Sequence, residues 1–505
     1  MSPLKQNTAP HEEFYIAKNQ PNLANFLHTV VQRANANLKR VITAEGLTQE
    51  EINKGLENGT FLQKTRAEVM ELIVESESGI GLTGGGDCAG IADVLSAIAL
   101  NLDPNLTMLG VKNAGAGLVV PPEQFKDQLI IVDKLLAEDL KGQSSTPFGS
   151  ARVNALKTNR ENTMANINPF KFVYGTGGDD HLGLLAAIAE AFPEKVVVGT
   201  FKSIDGDGCI DNKPALMLGF RTAVEKYQKD FWAIAQNAES HNQVHVVEIF
   251  GRKSGKLPFE ATRKFPDNFA ELPKEEQRKI EEFRDNVMIL VPEKPTSLKS
   301  IAKKAREIKE TQGNCVIAIA EGFMPPELDE GMNALAHDEN LKNKWKDGSL
   351  SVHELHNFVA PGSDLDEILK DPSLSALFAK TVWDAKLDSF GNVAALSGIR
   401  HFIISALQKF GGISKVNELM RNYEARGATP GSYDSIMGEK IGKKMAEIIN
   451  SGTTGGRAVV YLQGMDPRKE DPVVMPLVGV SNTNTLNNAD LYNDDMLRKN
   501  GVFSQ

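Results

Sequence analysis

FVYGTGGDDHLGLLAAIAEA at residues 172–191 and VVVGTFKSIDGDG at 196–208 carry the reading of the fold. Each begins with a short apolar run and breaks into a glycine-rich turn, and the first continues into an apolar pattern at helical spacing. That alternation marks β-α-β units and a parallel sheet. The unit recurs upstream, where GIGL at 79–82 leads through TGGGDCAG into IADVLSAIAL. Downstream, VHVVEIFGRKSG at 244–255 and VIAIAEGF at 316–323 have the same strand-to-turn form. The spacing predicts an α/β protein built on parallel sheet.

The chain has 505 residues, more than one hydrophobic core usually supports. Residues 1–75 read as a polar helical extension, with Leu23, Phe26, Leu27, Val30 and Val31 at helical spacing. The expected division is a first lobe over 76–225, rejoined by the C-terminal part from about 426 to 505, and a second lobe over 226–425. Insertions are expected near 256–290 and 324–388. PKEEQRKIEEFRDN at 273–286 reads as an exposed helix.

Hydrophobic residues make up 41% and charged residues 24%, a globular composition. The net charge of -10 disfavours nucleic acid and anionic membrane as partners, so an anionic substrate would need a local basic pocket. Cys88, Cys209 and Cys315 form no CxxC pair and suggest neither a disulfide framework nor a zinc site. The polar start and the lack of a ~18-residue apolar run lead to the expectation of a cytoplasmic protein.

Glycines between strand and helix let backbone N–H groups approach a phosphate, and the helix dipole favours the anion. Gly84, Gly85, Gly86 and Asp87 fit that role, although glycine turns also close many ordinary connections. Gly177, Gly178, Asp179 and Asp180 repeat it with two carboxylates. A carboxylate at such a turn suggests a divalent cation, making Asp179 a magnesium contact; the plainer reading is an aspartate capping the helix. Lys202, Ser203, Asp205 and Asp207 lie within six residues, with alternate side chains able to face one cavity. One aspartate suits the proton of an attacking hydroxyl, the other the metal-bound phosphate. Arg152, Arg252 and Arg426, each near a glycine or alanine, offer guanidinium forks for phosphate.

In order, LTGGGD, GSAR, GTGGDD, FKSIDGD, IFGRKSG, AIAEG and YEARG resemble the 6-phosphofructokinase family of the bacterial allosteric-enzyme type, over roughly residues 79–460. The resemblance implies an α/β fold of two doubly wound parallel-sheet lobes, the first binding donor and magnesium and the second the sugar phosphate, with an active site between them and direct in-line phosphoryl transfer. It makes Asp179 the magnesium-phosphate contact and Asp205 the base on the sugar hydroxyl, with Asp207 available to the metal. Gly85, Arg152 and Lys202 would bind diphosphate. Ser203, Ile204, Phe250, Gly251, Arg252, Glu321, Tyr423 and Arg426 would contact the sugar phosphate. Gly206 stands where the family carries asparagine, a departure that leaves both carboxylates in place and implies a looser turn.

Asp180 stands where ATP-using members have glycine, and Lys202 where pyrophosphate-using members have lysine. This pair implies the pyrophosphate-dependent branch, with Mg2+ as cofactor, fructose 6-phosphate as acceptor and a homo-oligomeric dimer or tetramer. The plain reading leaves Asp180 as a helix cap and Lys202 exposed. Two further arginines, which the short tetrameric enzymes supply from a neighbouring subunit, fall here on Gln243 and Asn417, with His241, His245, Lys415 and Arg421 nearby. That departure keeps sedoheptulose 7-phosphate or a polyol open as acceptor. An ATP-dependent enzyme and a non-catalytic regulatory paralogue are the other rivals.

Overall fold

The computed structural model describes residues 77–486, apart from 133, 145, 152, 264–268, much of 330–397, 422 and 482. The helical extension expected over 1–75, Arg152, much of the insertion expected over 324–388 and the end of the C-terminal return lie outside the described residues. The described chain falls into two compact units. One runs to Phe201 and takes in Ser435–Val480; the other holds Lys202–Asp434 and the residues from Ser481 onward.

In the first unit, neighbouring strands run in the order Leu129–Ile131, Thr107–Val111, Ser78–Thr83, Phe172–Gly177, Val196–Phe201, Gly455–Leu462 and Val473–Pro476. Pairing is parallel except at the two outermost strands, which are antiparallel to their neighbours. Ser78–Thr83, Phe172–Gly177 and Val196–Phe201 are buried along their whole length. Layers on both faces explain why they read as continuous apolar runs rather than alternating ones. Tyr174, fully buried, donates its hydroxyl to the Leu109 carbonyl at 2.7 Å, which satisfies the one polar atom it carries inside.

The strand order reverses between Ser78–Thr83 and Phe172–Gly177, paired in register with Thr83 opposite Thr176. From the first the chain winds to one side of the sheet, from the second to the other. A crevice at the C-terminal ends of such strands is where doubly wound sheets bind ligands. Both ends carry glycine turns, one leading to helix Ile91–Asn101 and the other to helix Asp179–Ala191.

The second unit has a parallel sheet in the order Val416–Arg421, Val244–Ile249, Cys315–Ala320, Val287–Leu290. Helices Leu298–Gln312 and Ile399–Lys409 cover one side, packing Leu298, Ile301, Phe402 and Ile403 against Val244, Val246, Ile317 and Ile319. Cys209–Ile210 and Lys213–Leu216 form a short hairpin.

Two expected boundaries move. Residues 202–225 belong to the second unit, because a cut at 225 would fall inside the 22-residue helix Phe220–His241. Buried Asp434 caps that helix, accepting from the backbone N–H groups of Gly219 and Thr222 and from the Thr222 hydroxyl at 2.6–2.8 Å, so the unit closes at 434. The stretch expected as an insertion near 256–290 ends in a wholly buried sheet strand, Val287–Leu290. The charged segment before it is helix Lys274–Asn286, which buries only Ile280 and Phe283 and exposes most of the rest.

Candidate active site

At the switch point of the first unit, the Gly84 N–H donates to the Thr176 carbonyl at 2.9 Å, carrying the ladder one residue beyond the strand. Gly85 follows with φ +80°, a conformation glycine adopts without a Cβ penalty. The segment Thr146–Ser150 is tied to this turn. Thr146 donates its hydroxyl to Asp87 Oδ1 at 2.6 Å, Ser150 donates to the Gly85 carbonyl, and Thr83 donates to the Gly149 carbonyl at 3.0 Å.

Helix Asp179–Ala191 begins at Gly178, and no side chain caps it. Asp179 and Asp180 occupy its first turn instead of the cap, which corrects the plainer reading of these two residues. The two carboxylates sit where the helix dipole favours negative charge. The His181 ring is buried among the glycines. A Cβ on Gly84, Gly175 or Gly177 would lie 2.3–2.8 Å from its atoms, so these positions admit glycine because the imidazole fills the space. Sequence reading missed His181; its only local signal was the glycines around it.

The residues expected to contact a sugar phosphate belong to the second unit. Lys202 is 4% exposed, contrary to the reading that left it in solvent. The Ser203 hydroxyl accepts from the Asp205 N–H at 3.1 Å and donates to Asp207 Oδ1 at 3.4 Å, which folds Ser203–Asp207 into a compact turn. Gly206 has φ +71°. A Cβ there would lie 2.7 Å from the Phe220 ring, so glycine in place of the family's asparagine makes the turn tight rather than loose.

Phe250, Gly251 and Arg252 follow the strand ending at Ile249, and Glu321 follows the adjacent strand ending at Ala320. The Glu321 N–H donates to the Ile249 carbonyl at 2.9 Å and the Gly322 N–H to the Gly251 carbonyl at 3.1 Å. A Cβ on Gly322 would meet the Arg252 carbonyl oxygen at 1.8 Å, so this close approach requires glycine. Arg426 lies over the Phe250 ring, 4.2 Å from guanidinium carbon to centroid, and Tyr423 meets the same ring edge-on at 5.9 Å. Stacking holds the guanidinium without using its N–H donors.

Burial raises both acids of this group. Burial pushes the Asp205 carboxyl up, while Arg426, a hydrogen bond from the Arg252 backbone, the Arg252 side chain and Lys202 pull it down. Its Oδ1 is out of solvent contact and has no hydrogen-bond partner among the described residues, a free lone pair beside three cationic side chains. Glu321 is pushed up to about 7 by burial, then by Asp205, against the pull of Arg426.

Sequence reading also missed Tyr227 and Glu248. Buried Tyr227, on helix Phe220–His241, has its hydroxyl hydrogen-bonded to the Phe250 backbone and its pKa raised by burial. Glu248 is buried and paired with Arg400 at 3.3 Å. Gln243 and Asn417, distant in sequence, are neighbours: Asn417 Nδ2 donates to Gln243 Oε1 at 2.5 Å and approaches His245 Nε2 at 3.1 Å. Burial, then the nearby His241, lowers the pKa of His245, so this cluster is neutral near pH 7.

The fold and turns define an α/β protein with glycine turns at a topological switch point of one unit and a buried acid beside cationic side chains in the other. Residues 79–449 match the phosphofructokinase family, and the chain belongs to it. A pyrophosphate--fructose 6-phosphate 1-phosphotransferase of Dictyoglomus thermophilum is 25% identical over 382 residues, covering 74% of this chain and 86% of the relative. An ATP-dependent 6-phosphofructokinase of Mycobacterium tuberculosis is 23% identical over 398 residues, covering 76% and 90%. Among solved structures, a pyrophosphate-dependent phosphofructokinase from Marinobacter aquaeolei shares the fold, with TM-score 0.54 at 12% identity over 84% of this chain and 91% of that one.

Proposed function

We propose that the chain is a pyrophosphate-dependent 6-phosphofructokinase, moving a phosphoryl group from diphosphate to the C1 hydroxyl of fructose 6-phosphate and releasing fructose 1,6-bisphosphate and phosphate. Asp205 takes the hydroxyl proton, and its unpartnered Oδ1 is the atom suited to it. Arg252, Arg426, Tyr423 and Glu321 supply the guanidiniums, phenol and carboxylate that a sugar phosphate needs, beside Ser203, Ile204, Phe250 and Gly251. Gly85 and Arg152 serve the diphosphate. Relatives named for each donor match at similar identity, so the donor rests on one observation: the burial of Lys202 close enough to Asp205 to act on its charge. A buried ammonium suits the compact charge of a departing phosphate that has no nucleoside attached. Asp180, exposed in the first helical turn, adds like charge where a nucleotide's α-phosphate would lie.

Among the described residues no three His, Cys, Asp or Glu side chains gather as a metal cage. Magnesium keeps waters and is commonly held by one or two carboxylates plus substrate phosphates, and Asp179 of the first unit and Asp207 of the second are the carboxylates proposed for it. When bound, it would neutralise charge on the transferring phosphoryl group.

Among the described residues no helix is long and apolar enough to cross a membrane. A homo-oligomer is part of the proposal. Val416–Arg421 is the edge strand of its sheet, and Met420 and Tyr423 are 52% and 77% exposed.

Turnover of the purified chain with magnesium tests the reading. Diphosphate should support phosphorylation of fructose 6-phosphate, with a higher kcat/KM than for sedoheptulose 7-phosphate or free fructose. Strong activity with ATP and none with diphosphate overturns the donor. A preference for the unphosphorylated sugar overturns the acceptor.

A further inference from the structure

The C-terminal segment Ser481–Leu486 makes more contacts with the acceptor loops than a passing strand needs. The Cys209 N–H donates to the Ser481 carbonyl at 2.8 Å and the Ser481 N–H returns to Cys209 at 3.1 Å, fixing the segment beside the turn that bears Asp205. Three residues on, the Asn484 backbone N–H donates to the Asp207 carbonyl at 2.9 Å and Asn484 Nδ2 to the Gly206 carbonyl at 3.3 Å. One residue thus satisfies two consecutive carbonyls of the turn. Lys256 Nζ donates to Asn484 Oδ1 and fixes the amide's orientation.

The Leu486 N–H donates to Glu293 Oε1 at 2.9 Å, and the same carboxylate accepts the Gly255 N–H at 2.9 and 3.0 Å. Gly255 closes the loop that begins at Arg252. Leu486 is buried in the apolar core of the second unit and anchors the segment there.

We propose that Asn484 is a positioning residue for phosphoryl transfer. It holds the Asp205-Gly206-Asp207 turn in its reactive shape, and the segment Ser481–Leu486 ties that turn to the Arg252–Gly255 loop. The Ser203 hydroxyl fixes this turn through the Asp205 N–H and the Asp207 carboxylate, while the glycine at its centre brings no side chain, so its carbonyl side is held by Asn484. An aspartate that must meet a hydroxyl within hydrogen-bond reach is sensitive to a shift of about 1 Å. The inference rests on the proposed reaction, in which this turn carries the base.

The test compares Asn484→Ala and Asn484→Asp with the parent, all as full-length chain with magnesium, diphosphate and fructose 6-phosphate. Asn484→Ala should lower kcat about tenfold, with both KM values within about twofold, the signature of a group that matters in the transition state. Asn484→Asp keeps the size, the backbone N–H and the Lys256 contact but loses the Nδ2 donation, and should fall between. Amide exchange over 203–208 should quicken in both, without substrate present. Unchanged kcat in an active background, or a raised KM alone, overturns the role. If Asn484→Ala does not fold, the Asn484→Asp result decides. If the parent turns over no substrate, the proposed reaction fails, and unchanged exchange over 203–208 would separately remove the tie.

Discussion

Asp205 and Glu321 share one neighbourhood and its arginines, yet their surroundings assign them different work. Burial pushes the Asp205 carboxyl up against the pull of three cationic side chains, and it keeps one unpartnered oxygen, the atom proposed to act as the base. Asp205→Ser should lower kcat on the order of a hundredfold or more with little change in either KM, because the proton is taken mainly in the transition state. A variant with near-normal kcat removes Asp205 as the base. Glu321 has its pKa pushed up to about 7 from an ordinary 4.5, so the folded protein keeps this proton over a range where the unfolded chain has lost it. Stability from this group is therefore full below about 4.5 and declines as pH rises to about 7. Glu321→Gln should remove that decline, gaining stability over the parent by pH 8 but not at pH 4, as read by urea denaturation. The same variant should raise KM for fructose 6-phosphate above pH 7, where it lacks the anionic acceptor. An equal stability difference at both pH values would show that Glu321 ionises normally.

Each functional element here is a strand end followed by a glycine that lets backbone come close. Gly206 combines φ +71° with a Phe220 ring 2.7 Å from a built Cβ, so Gly206→Ala should cost about 1–3 kcal/mol and depress kcat more than KM. A stability change under about 0.5 kcal/mol would mean that the turn relaxes freely. The same logic decides what was legible in the sequence. Cys315–Ala320 and Val196–Phe201 announced themselves because both faces are buried and the residues are β-branched or small. Val416–Arg421 did not: as a half-exposed edge it carries Asn417, Glu418 and Met420. Val287–Leu290 lay hidden behind a charged helix and passed for part of an insertion. Asp205, Arg252 and Glu321 were legible because they stand beside strand-end glycines. Tyr227, Glu248 and Asn484 were not, since contacts as far as 278 residues apart place them and no local pattern marks them.

At the scale of the whole molecule, a chain of net charge -10 must bind two anionic substrates, so its cations have to act locally rather than as a field. The groups proposed for the sugar phosphate, Arg252, Glu321 and Arg426 with Asp205, belong to the second unit, and Lys202, proposed for the diphosphate, belongs to it as well. The glycine turns after Thr83 and Gly177, with Asp179 and Asp180, all belong to the first. Each substrate added alone should therefore protect the turns assigned to it, because a ligand protects the segments whose native form it binds. Fructose 6-phosphate without diphosphate should slow amide exchange over 203–208, 250–255 and 321–323 and leave 84–87 and 178–182 unchanged. Diphosphate with magnesium should slow exchange over 84–87 and 178–182. If the sugar phosphate instead protects the turns of the first unit while 250–255 stays unprotected, the assignment of acceptor and donor to their units is reversed. Protection of neither set by either substrate would remove both turns from the binding sites.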